Sequence, residues 1–211
     1  MAERRLYLCT PDRPDLADFL KACVAGGVDV VQLRDKELEA RQVLARAEIA
    51  LEVCRSAGVP FILNDRPDLA LAVGADGVHV GQDDCPPSVA RRVLGPEAVI
   101  GLSTHAPAEL DAAASEPVDY ISTGPVLPTA THPDRAPTGL GYLRYAAQHC
   151  RGPWFVTGNA NPATVGEMAA AGATQFVVVR HLTLAPDPEA AARAMRRAID
   201  DALDRQLPAE P

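Results

Sequence analysis

The chain has 211 residues, of which 47% are hydrophobic and 23% charged, as is ordinary for a soluble globular protein with one large or two small domains. Its formal net charge of −8, without a basic stripe, argues against nucleic acid or an anionic membrane as a partner. No apolar run has transmembrane length, and the first residues do not form a signal-peptide pattern. Five scattered cysteines without a CxxC pair indicate reduced thiols and predict a cytoplasmic protein.

Short apolar runs alternate with Ala- and Leu-rich helical patterns along the whole chain. Several of the helical patterns end at a glycine, which accepts the left-handed conformation just past a helix end. We predict eight strands, at residues 6–9, 28–33, 61–63, 77–80, 99–102, 120–122, 154–156 and 176–179. The predicted helices cover residues 15–25, 39–57, 67–72, 87–94, 106–114, 140–149, 162–171 and 188–203.

This alternation predicts a parallel sheet that is buried on both faces. For a chain of this size we predict an α/β fold of the (β/α)8 TIM-barrel type, one domain over residues 1–206 with a frayed tail at 207–211. A doubly wound open sheet is the alternative. It is disfavoured because no GxGxxG motif follows the first predicted strand.

The second predicted strand runs into a charged segment in which Gln32, Arg34 and Lys36 occupy alternate positions. An extended backbone would point these three side chains the same way. An amide, a guanidinium and an ammonium that converge suit an anion with several oxygens. The alternative is a solvated strand end whose charges only keep an edge soluble.

Polar residues also follow the later strands, and in a barrel the carboxyl ends of the strands form the active-site face. Two of these residues, Asp65 and Asp84, are carboxylates that would repel a bound anion unless a hard cation lay between them. Mg²⁺ commonly takes one or two carboxylates and completes its shell with phosphate oxygens and water. The alternatives are a helix N-cap for Asp65 and a turn for Asp84.

The longest irregular connection covers residues 123–139 and is rich in Pro and Thr. Long loops in compact domains are often functional. The hydroxyls of Thr129 and Thr131 and the ring of His132 offer donors for a second phosphate. The alternative is a rigid Pro-rich loop with incidental threonines.

Six short motifs occur in a fixed order: Val31-Gln32-Leu33-Arg34-Asp35-Lys36, Asn64-Asp65, Gly81-Gln82-Asp83-Asp84, Ser103-Thr104-His105, Gly124-Pro125 and Pro128-Thr129-Ala130-Thr131. With them the chain resembles the thiamine phosphate synthase family over essentially its whole length. The resemblance implies a (β/α)8 barrel that joins hydroxymethylpyrimidine diphosphate to hydroxyethylthiazole phosphate and releases pyrophosphate. It also implies Mg²⁺ as the cofactor and a dissociative mechanism that needs no nucleophilic side chain or general base.

The resemblance assigns roles to individual residues. It implies that the pyrimidine diphosphate is held by Gln32, Leu33, Arg34, Asp35, Lys36, Asn64 and Ser103. It implies that the thiazole phosphate is held by Thr129 and Thr131 and by main-chain groups near Asn159, Val179 and Arg180. Ala130 and His132 would also bind substrate, and a cation at position 132 would help hold the departing pyrophosphate. The metal ligands would be Asp65 and Asp84, whereas Asp83 does not match the pattern. Arg34, Lys36 and Ser103 would be the catalytic residues, and the two cations would act electrostatically on the leaving group.

The chain departs from the family in three places. His132 stands where the family usually has Lys, Gly158-Asn159-Ala160 replaces a Gly-Gly-Ile turn, and Arg180-His181 replaces a Ser-Ala pair. Asn tolerates the left-handed conformation better than most residues, so the turn is expected to survive. Asn159 would narrow the expected phosphate space, and Arg180 would add a compensating cation.

Two other functions are compatible with these departures. The first is a thiazole-phosphate isomerase, since tautomerase relatives share the barrel, although they are expected to lack the metal carboxylates and the full basic strand end. The second is a degenerate barrel that only binds thiamine precursors. The expected partners are small molecules in every case, and assembly into a homo-oligomer is left open.

Overall fold

The computed structural model describes residues 1–130 and 135–206. Over these residues, eight parallel strands form one closed barrel in which each strand pairs with the next and β8 pairs with β1. The strands are β1 Leu6–Thr10, β2 Val30–Leu33, β3 Phe61–Asn64, β4 Gly77–Val80, β5 Val99–Thr104, β6 Tyr120–Thr123, β7 Trp154–Val156 and β8 Phe176–Val178. The predicted TIM barrel is confirmed, and the open sheet is excluded. The predicted tail and the loop residues Thr131 and His132 lie outside the described residues.

Helices follow the strands and cover the outside of the barrel. In the described residues they are α1 Leu16–Ala25, α2 Ala40–Ala57, α3 Pro67–Val73, α4 Pro87–Leu94, α5 Pro107–Ala113, α6 Gly139–His149, α7 Val165–Ala170, α8 Arg180–Thr183 and α9 Pro188–Asp204. Proline begins several of them, because a first-turn residue needs no backbone N–H and its φ is already helical. The four-residue α8 was not predicted, since it is too short to show a helical period. None of the helices that the structure describes is long and apolar enough to cross a membrane.

The strands bury both faces, as predicted for a parallel barrel. Side chains that point outward pack against the helices in a large apolar core, and a smaller cluster fills the floor of the barrel. That inner cluster consists of Tyr7, Val30, Ile62, Tyr120 and Phe155. Nearer the carboxyl ends the inward positions become polar, as with Gln32 and His79. The closed floor and polar upper layer therefore place a cavity at the carboxyl ends of the strands.

Strand β2 begins at Val30, two residues later than predicted, and ends at Leu33 as predicted. Its last ladder contact is the N–H of Arg34, which donates to the carbonyl of Thr10 at 2.8 Å. The carboxylate of Asp35 then accepts backbone N–H groups from Asp12 at 3.2 Å and Glu37 at 3.0 Å, which turns the chain. The charged segment therefore reaches the cavity from a turn rather than along an extended strand.

Candidate active site

A cavity of about 740 Å³ opens at the carboxyl ends of the strands, and residues from all eight strands or the loops that follow them line it. Its described lining includes the cationic side chains of Arg34, Lys36, Arg135 and Arg180. The same lining includes the carboxyl groups of Asp65, Asp83 and Asp84, so the cavity brings cationic and acidic side chains together in a protein whose formal net charge is −8.

Most of the predicted site residues that the structure describes meet in this cavity. They are Gln32, Arg34, Lys36, Asn64, Asp65, Asp84, Ser103, Thr129, Ala130, Asn159, Val179 and Arg180. Leu33 and Asp35 are not part of this lining. Leu33 is 2% exposed in the outer core, because alternate strand residues face opposite sides of the sheet, and Asp35 holds the turn after β2. Thr131 and His132 lie outside the described residues.

The two predicted metal carboxylates share a hydrogen bond, and a cation lies beside them. The Nζ atom of Lys36 is 2.9 Å from Oδ2 of Asp65. Burial, followed by the hydrogen bond with Asp84, raises the pKa of Asp65, although Lys36 opposes the rise. Burial acts to raise the pKa of Asp84 as well, but hydrogen bonds from Asp65 and from the N–H of Gly81 lower it overall. Of the two carboxyl groups, Asp84 is therefore the first to ionise and Asp65 the first to take up a proton as pH falls.

The backbone around each carboxylate explains how it reaches the cavity. Asp65 has a left-handed φ of 62°, and its N–H donates to the carbonyl of His79 at 2.8 Å. Helix α3 takes Arg66 as its N-cap residue, so Asp65 is not the cap that the alternative interpretation required. Asp84 does hold a turn, since its Oδ2 accepts the N–H of Gly81 at 2.8 Å, and the same carboxylate still meets Asp65.

A buried hydrogen-bonded chain that sequence reasoning missed crosses the barrel at the bottom of the cavity, and most of its members line the cavity. It runs from Gln32 through Tyr7, Tyr120 and His79 to Ser103. Burial, and then the charge of Arg34, lowers the pKa of His79 to about 4, so its ring is neutral at ordinary pH. The sequence carried one indication of this chain, because its polar side chains fall on the inward-facing positions of their strands.

Sequence reasoning also missed one cation at the cavity edge. The guanidinium of Arg135 contacts Nε2 of His105, whose Nδ1 contacts the carbonyl of Gly124. Because a carbonyl only accepts, Nδ1 carries the proton, and Nε2 of a neutral ring is left to accept from Arg135. His105 therefore orients this guanidinium at the mouth of the cavity.

The opposite side of the cavity is formed by the loop after β7 and by α8. Gly158 has a φ of 104°, and a side chain there would clash with the backbone of Pro125 and Val126. Asn159 has a φ of 58°, which confirms the expected left-handed turn. Arg180 begins α8 and is an exposed part of the lining.

A TIM barrel whose carboxyl-end cavity combines several cations with a carboxylate pair has the architecture of an enzyme active site, and those cations suit an anionic ligand. The chain belongs to the thiamine monophosphate synthase family, whose model matches residues 6–182. Members of this family are transferases of thiamine biosynthesis, and this chain is an enzyme of that class.

Similarity to individual relatives covers nearly the whole chain. The chain is 48% identical over 212 residues to the thiamine-phosphate synthase of Mycobacterium sp. (strain JLS), covering 94% of each chain. It is 51% identical over 199 residues to that of Thermobifida fusca (strain YX), covering 92% of this chain and 91% of the relative. Among solved structures, the thiamine phosphate pyrophosphorylase from Pyrococcus furiosus superposes with a TM-score of 0.86 at 28% identity, covering 94% of this chain and 96% of that one.

Proposed function

We propose that the protein joins hydroxymethylpyrimidine diphosphate to hydroxyethylthiazole phosphate, forming thiamine phosphate and releasing pyrophosphate. Membership of the family and the names of the relatives support this reaction. The observation that carries the proposal is the meeting of the cationic loop after β2 with the carboxylate pair, where Lys36 Nζ lies 2.9 Å from Asp65 Oδ2. An anion site and a metal-type carboxylate pair at one spot suit a diphosphate.

In this proposal the diphosphate lies against Arg34, Lys36 and Asn64, and the pyrimidine ring lies deeper, between Gln32 and Ser103. Gln32 is only 4% exposed, which suits a ring withdrawn from water rather than a phosphate. The guanidinium of Arg34 can bind two phosphate oxygens at once, whereas Lys36 supplies a point charge.

The chemistry of Asp65 and Asp84 fits Mg²⁺, which prefers carboxylate oxygens and substrate phosphates. The neighbouring carboxylate of Asp84 contributes to the raised pKa of Asp65, and a divalent cation between the two groups would offset their repulsion. In the part of the chain that the structure describes, no group of three or more His, Cys, Asp or Glu side chains could hold a metal. A site of two carboxylates would therefore be completed by the substrate and water. When bound, the ion would neutralise charge on the departing pyrophosphate.

The proposed chemistry is dissociative. The bond between the pyrimidine methylene carbon and the diphosphate oxygen breaks, and its electron pair leaves with pyrophosphate. The methylene is then a short-lived cation, and the lone pair of the thiazole nitrogen forms the new carbon–nitrogen bond. Arg34 and Lys36 stabilise the charge that develops on the leaving group, so no side chain needs to act as a nucleophile.

The thiazole phosphate is proposed to lie on the other side of the cavity. Loops after the seventh and eighth strands, with a short extra helix, commonly form a phosphate site in TIM barrels. Here those parts are the Gly158–Asn159 turn and α8, which begins at Arg180. Thr129 and Ala130 line the same cavity from the loop after β6.

The test is an assay with both substrates and Mg²⁺ in which pyrophosphate and thiamine phosphate are measured together. We expect the two products in equal amounts. Calorimetry with each substrate, with and without Mg²⁺, separates the alternatives: binding of the thiazole phosphate alone would instead indicate an isomerase. Binding of both substrates without product would indicate a barrel that only holds thiamine precursors.

A further inference from the structure

The buried chain joins the two groups that border the proposed pyrimidine subsite. Gln32 Nε2 lies 2.6 Å from the hydroxyl of Tyr7, which lies 2.8 Å from the hydroxyl of Tyr120. The Tyr120 hydroxyl lies 2.9 Å from Nδ1 of His79, and Nε2 of His79 lies 2.8 Å from Oγ of Ser103. Each hydroxyl in the chain has a single proton, and the neutral imidazole has a single N–H. A group that accepts from one neighbour therefore donates to the next, so the donor in one hydrogen bond determines the donor in all the others.

The contact between Gln32 and Cys9 determines which group donates in each hydrogen bond of the chain. The thiol of Cys9 donates to Oε1 of Gln32 at a sulfur–oxygen distance of 3.6 Å. Burial raises the pKa of Cys9 to about 12, so the sulfur keeps its proton and remains a donor. Oε1 of Gln32 therefore faces the thiol, and the amide nitrogen faces Tyr7.

The remaining protons follow from that start. Tyr7 accepts from Gln32, so its own proton goes to Tyr120, and Tyr120 donates to Nδ1 of His79. A neutral imidazole that accepts at Nδ1 carries its proton on Nε2, which donates to Ser103. Ser122 Oγ also lies 3.4 Å from Nε2 of His79 and donates to Oγ of Ser103 at 3.3 Å, so both lone pairs of Ser103 are occupied and its hydroxyl proton is left to point into the cavity.

The barrel makes room for this chain at one glycine. Gly101 on β5 lies opposite His79 on β4 and Tyr120 on β6. A side chain at Gly101 would overlap the ring of Tyr120 and Nδ1 of His79. Tyr7 and Tyr120 are each 1% exposed and His79 is 7% exposed, so the hydroxyls and ring lie away from solvent.

We propose that Tyr7, Tyr120 and His79 are positioning residues that set the hydrogen-bond polarity of Gln32 and Ser103 together, and thereby select an aminopyrimidine over an oxopyrimidine. This inference rests on the proposed function, which places the pyrimidine ring between these two ends. Ser103 donates to a ring nitrogen, while the second lone pair of Gln32 Oε1 accepts from the exocyclic amine.

An oxo analogue presents the opposite pattern, a carbonyl acceptor beside a ring N–H donor. To match it, Gln32 would have to turn its amide, every hydroxyl would have to reverse, and the proton of His79 would have to move to Nδ1. The turned amide would also place its N–H groups against the sulfur of Cys9, which is only a weak acceptor. A site whose buried groups have fixed donor and acceptor roles rejects an analogue that leaves those groups without hydrogen bonds.

The first test is the imidazole tautomer of His79 in the unliganded, full-length protein, measured by ¹⁵N NMR with His79→Gln used to assign the signals. We expect the Nε2–H form in the wild type and a mixture of tautomers in Tyr120→Phe. Tyr142→Phe is the matched control, because it removes another buried hydroxyl, which donates to Thr104 at 2.6 Å outside the chain. An Nδ1–H form in the wild type would overturn the proposal.

The second test compares kcat/KM for 4-amino and 4-oxo pyrimidine diphosphates. We expect Tyr120→Phe and Tyr7→Phe each to reduce the amino-to-oxo preference by about tenfold, the scale of one neutral hydrogen bond left unpaired. The KM for the thiazole phosphate and the preference of Tyr142→Phe should stay at the wild-type values. An unchanged preference in both chain variants would reject the positioning role.

The two proposals fail separately. Absence of thiamine phosphate from the wild-type assay would reject the proposed function, whereas the tautomer of His79 is measured without any substrate. If Tyr120→Phe does not fold, Tyr7→Phe and the wild-type tautomer of His79 still test the positioning role. Each of them reports on which groups donate along the buried chain.

Discussion

Lys36 and Asp65 form an ion pair of 2.9 Å between Nζ and Oδ2 at the edge of the cavity. Lys36 comes from the turn after β2, and Asp65 follows β3 in a left-handed conformation. Asp84 from the loop after β4 shares a hydrogen bond with the same carboxyl group. Three neighbouring strand ends therefore bring the groups proposed to bind the diphosphate and the cation within contact of one another.

The first prediction concerns the carboxylate pair. Substitution of Asp65→Asn or Asp84→Asn should lower turnover by at least about 100-fold, because each replaces a carboxylate, whose negative charge a divalent cation needs, with a neutral amide. The rate should also fall when excess chelator is added and recover with Mg²⁺. Steady-state assays across a range of Mg²⁺ concentrations would measure both effects.

Asp83→Asn is the matched control for this prediction. Asp83 lines the same cavity from the same loop as Asp84, so the substitution makes the same charge change one residue away. We expect near wild-type turnover and an unchanged melting temperature. Full activity of the wild type in excess chelator would show that the pair does not serve a required metal.

The second prediction separates the two cations that follow β2. Arg34→Ala and Lys36→Ala should each cost about 2–4 kcal/mol in transition-state stabilisation, the scale of losing one preorganised electrostatic group. Arg34→Lys should also lose activity, because an ammonium cannot reproduce the two-pronged guanidinium contact. Lys21→Ala removes an exposed ammonium on α1 and should leave kcat/KM unchanged. Wild-type rates from both Ala variants would mean that the two cations only keep this edge of the protein soluble.

The third prediction concerns His132, which stands where the resemblance to the family implies a Lys. Arg135, three residues further on, contacts His105 at the cavity edge, and a guanidinium is not deprotonated in proteins. We expect Arg135→Ala to lower turnover by at least about tenfold and the wild-type rate not to decline between pH 7 and pH 9.

The competing expectation is that His132 supplies the charge. An ordinary imidazole loses its charge as pH rises through about 6.5, so turnover would then decline on the alkaline side and His132→Lys would flatten that decline. Rates against pH for the wild type, His132→Lys and Arg135→Ala decide between the two. Arg180→Ser belongs in the same series, because a collapse in that variant alone would assign the charge to Arg180.

The fourth prediction is a pH dependence of stability that comes from His79. Burial, then Arg34 and His105, lowers its folded-state pKa to about 4, although Asp84 opposes this. The unfolded state binds the proton first, so stability is fully present above about pH 6.5 and is lost as pH falls toward 4. The loss should reach about 3 kcal/mol in the free energy of unfolding.

Denaturant unfolding of metal-free protein at pH 7 and pH 5 would measure this effect. We expect His79→Gln to reduce the difference between the two pH values. His149→Gln changes an exposed histidine on α6 and should keep the wild-type difference. Equal pH dependence in wild type and His79→Gln would contradict the assignment.

The sequence by itself determined the barrel and the location of its site. Alternation of strand and helix patterns is a local property, because it depends on which residues a short segment must bury, and all eight predicted strands were confirmed. Polar residues after the strands predicted a common cavity, since the carboxyl ends of parallel strands meet at one face. The left-handed turn at Asn159 likewise followed from a local conformational preference.

Only the tertiary structure decided which side chains touch. Tyr7 and Tyr120 are 113 residues apart, and their hydrogen bond exists because closure of the barrel points both inward at neighbouring depths. The same closure brings Arg135 to His105. Leu33 and Asp35 belong to a motif that predicts substrate binding. The pleat of the strand instead points Leu33 toward the helices, and the Asp35 carboxylate accepts a backbone N–H within the turn that follows β2. Periodicity along a chain specifies the face on which a residue lies, whereas its partners across the barrel depend on distances that only the closed fold defines.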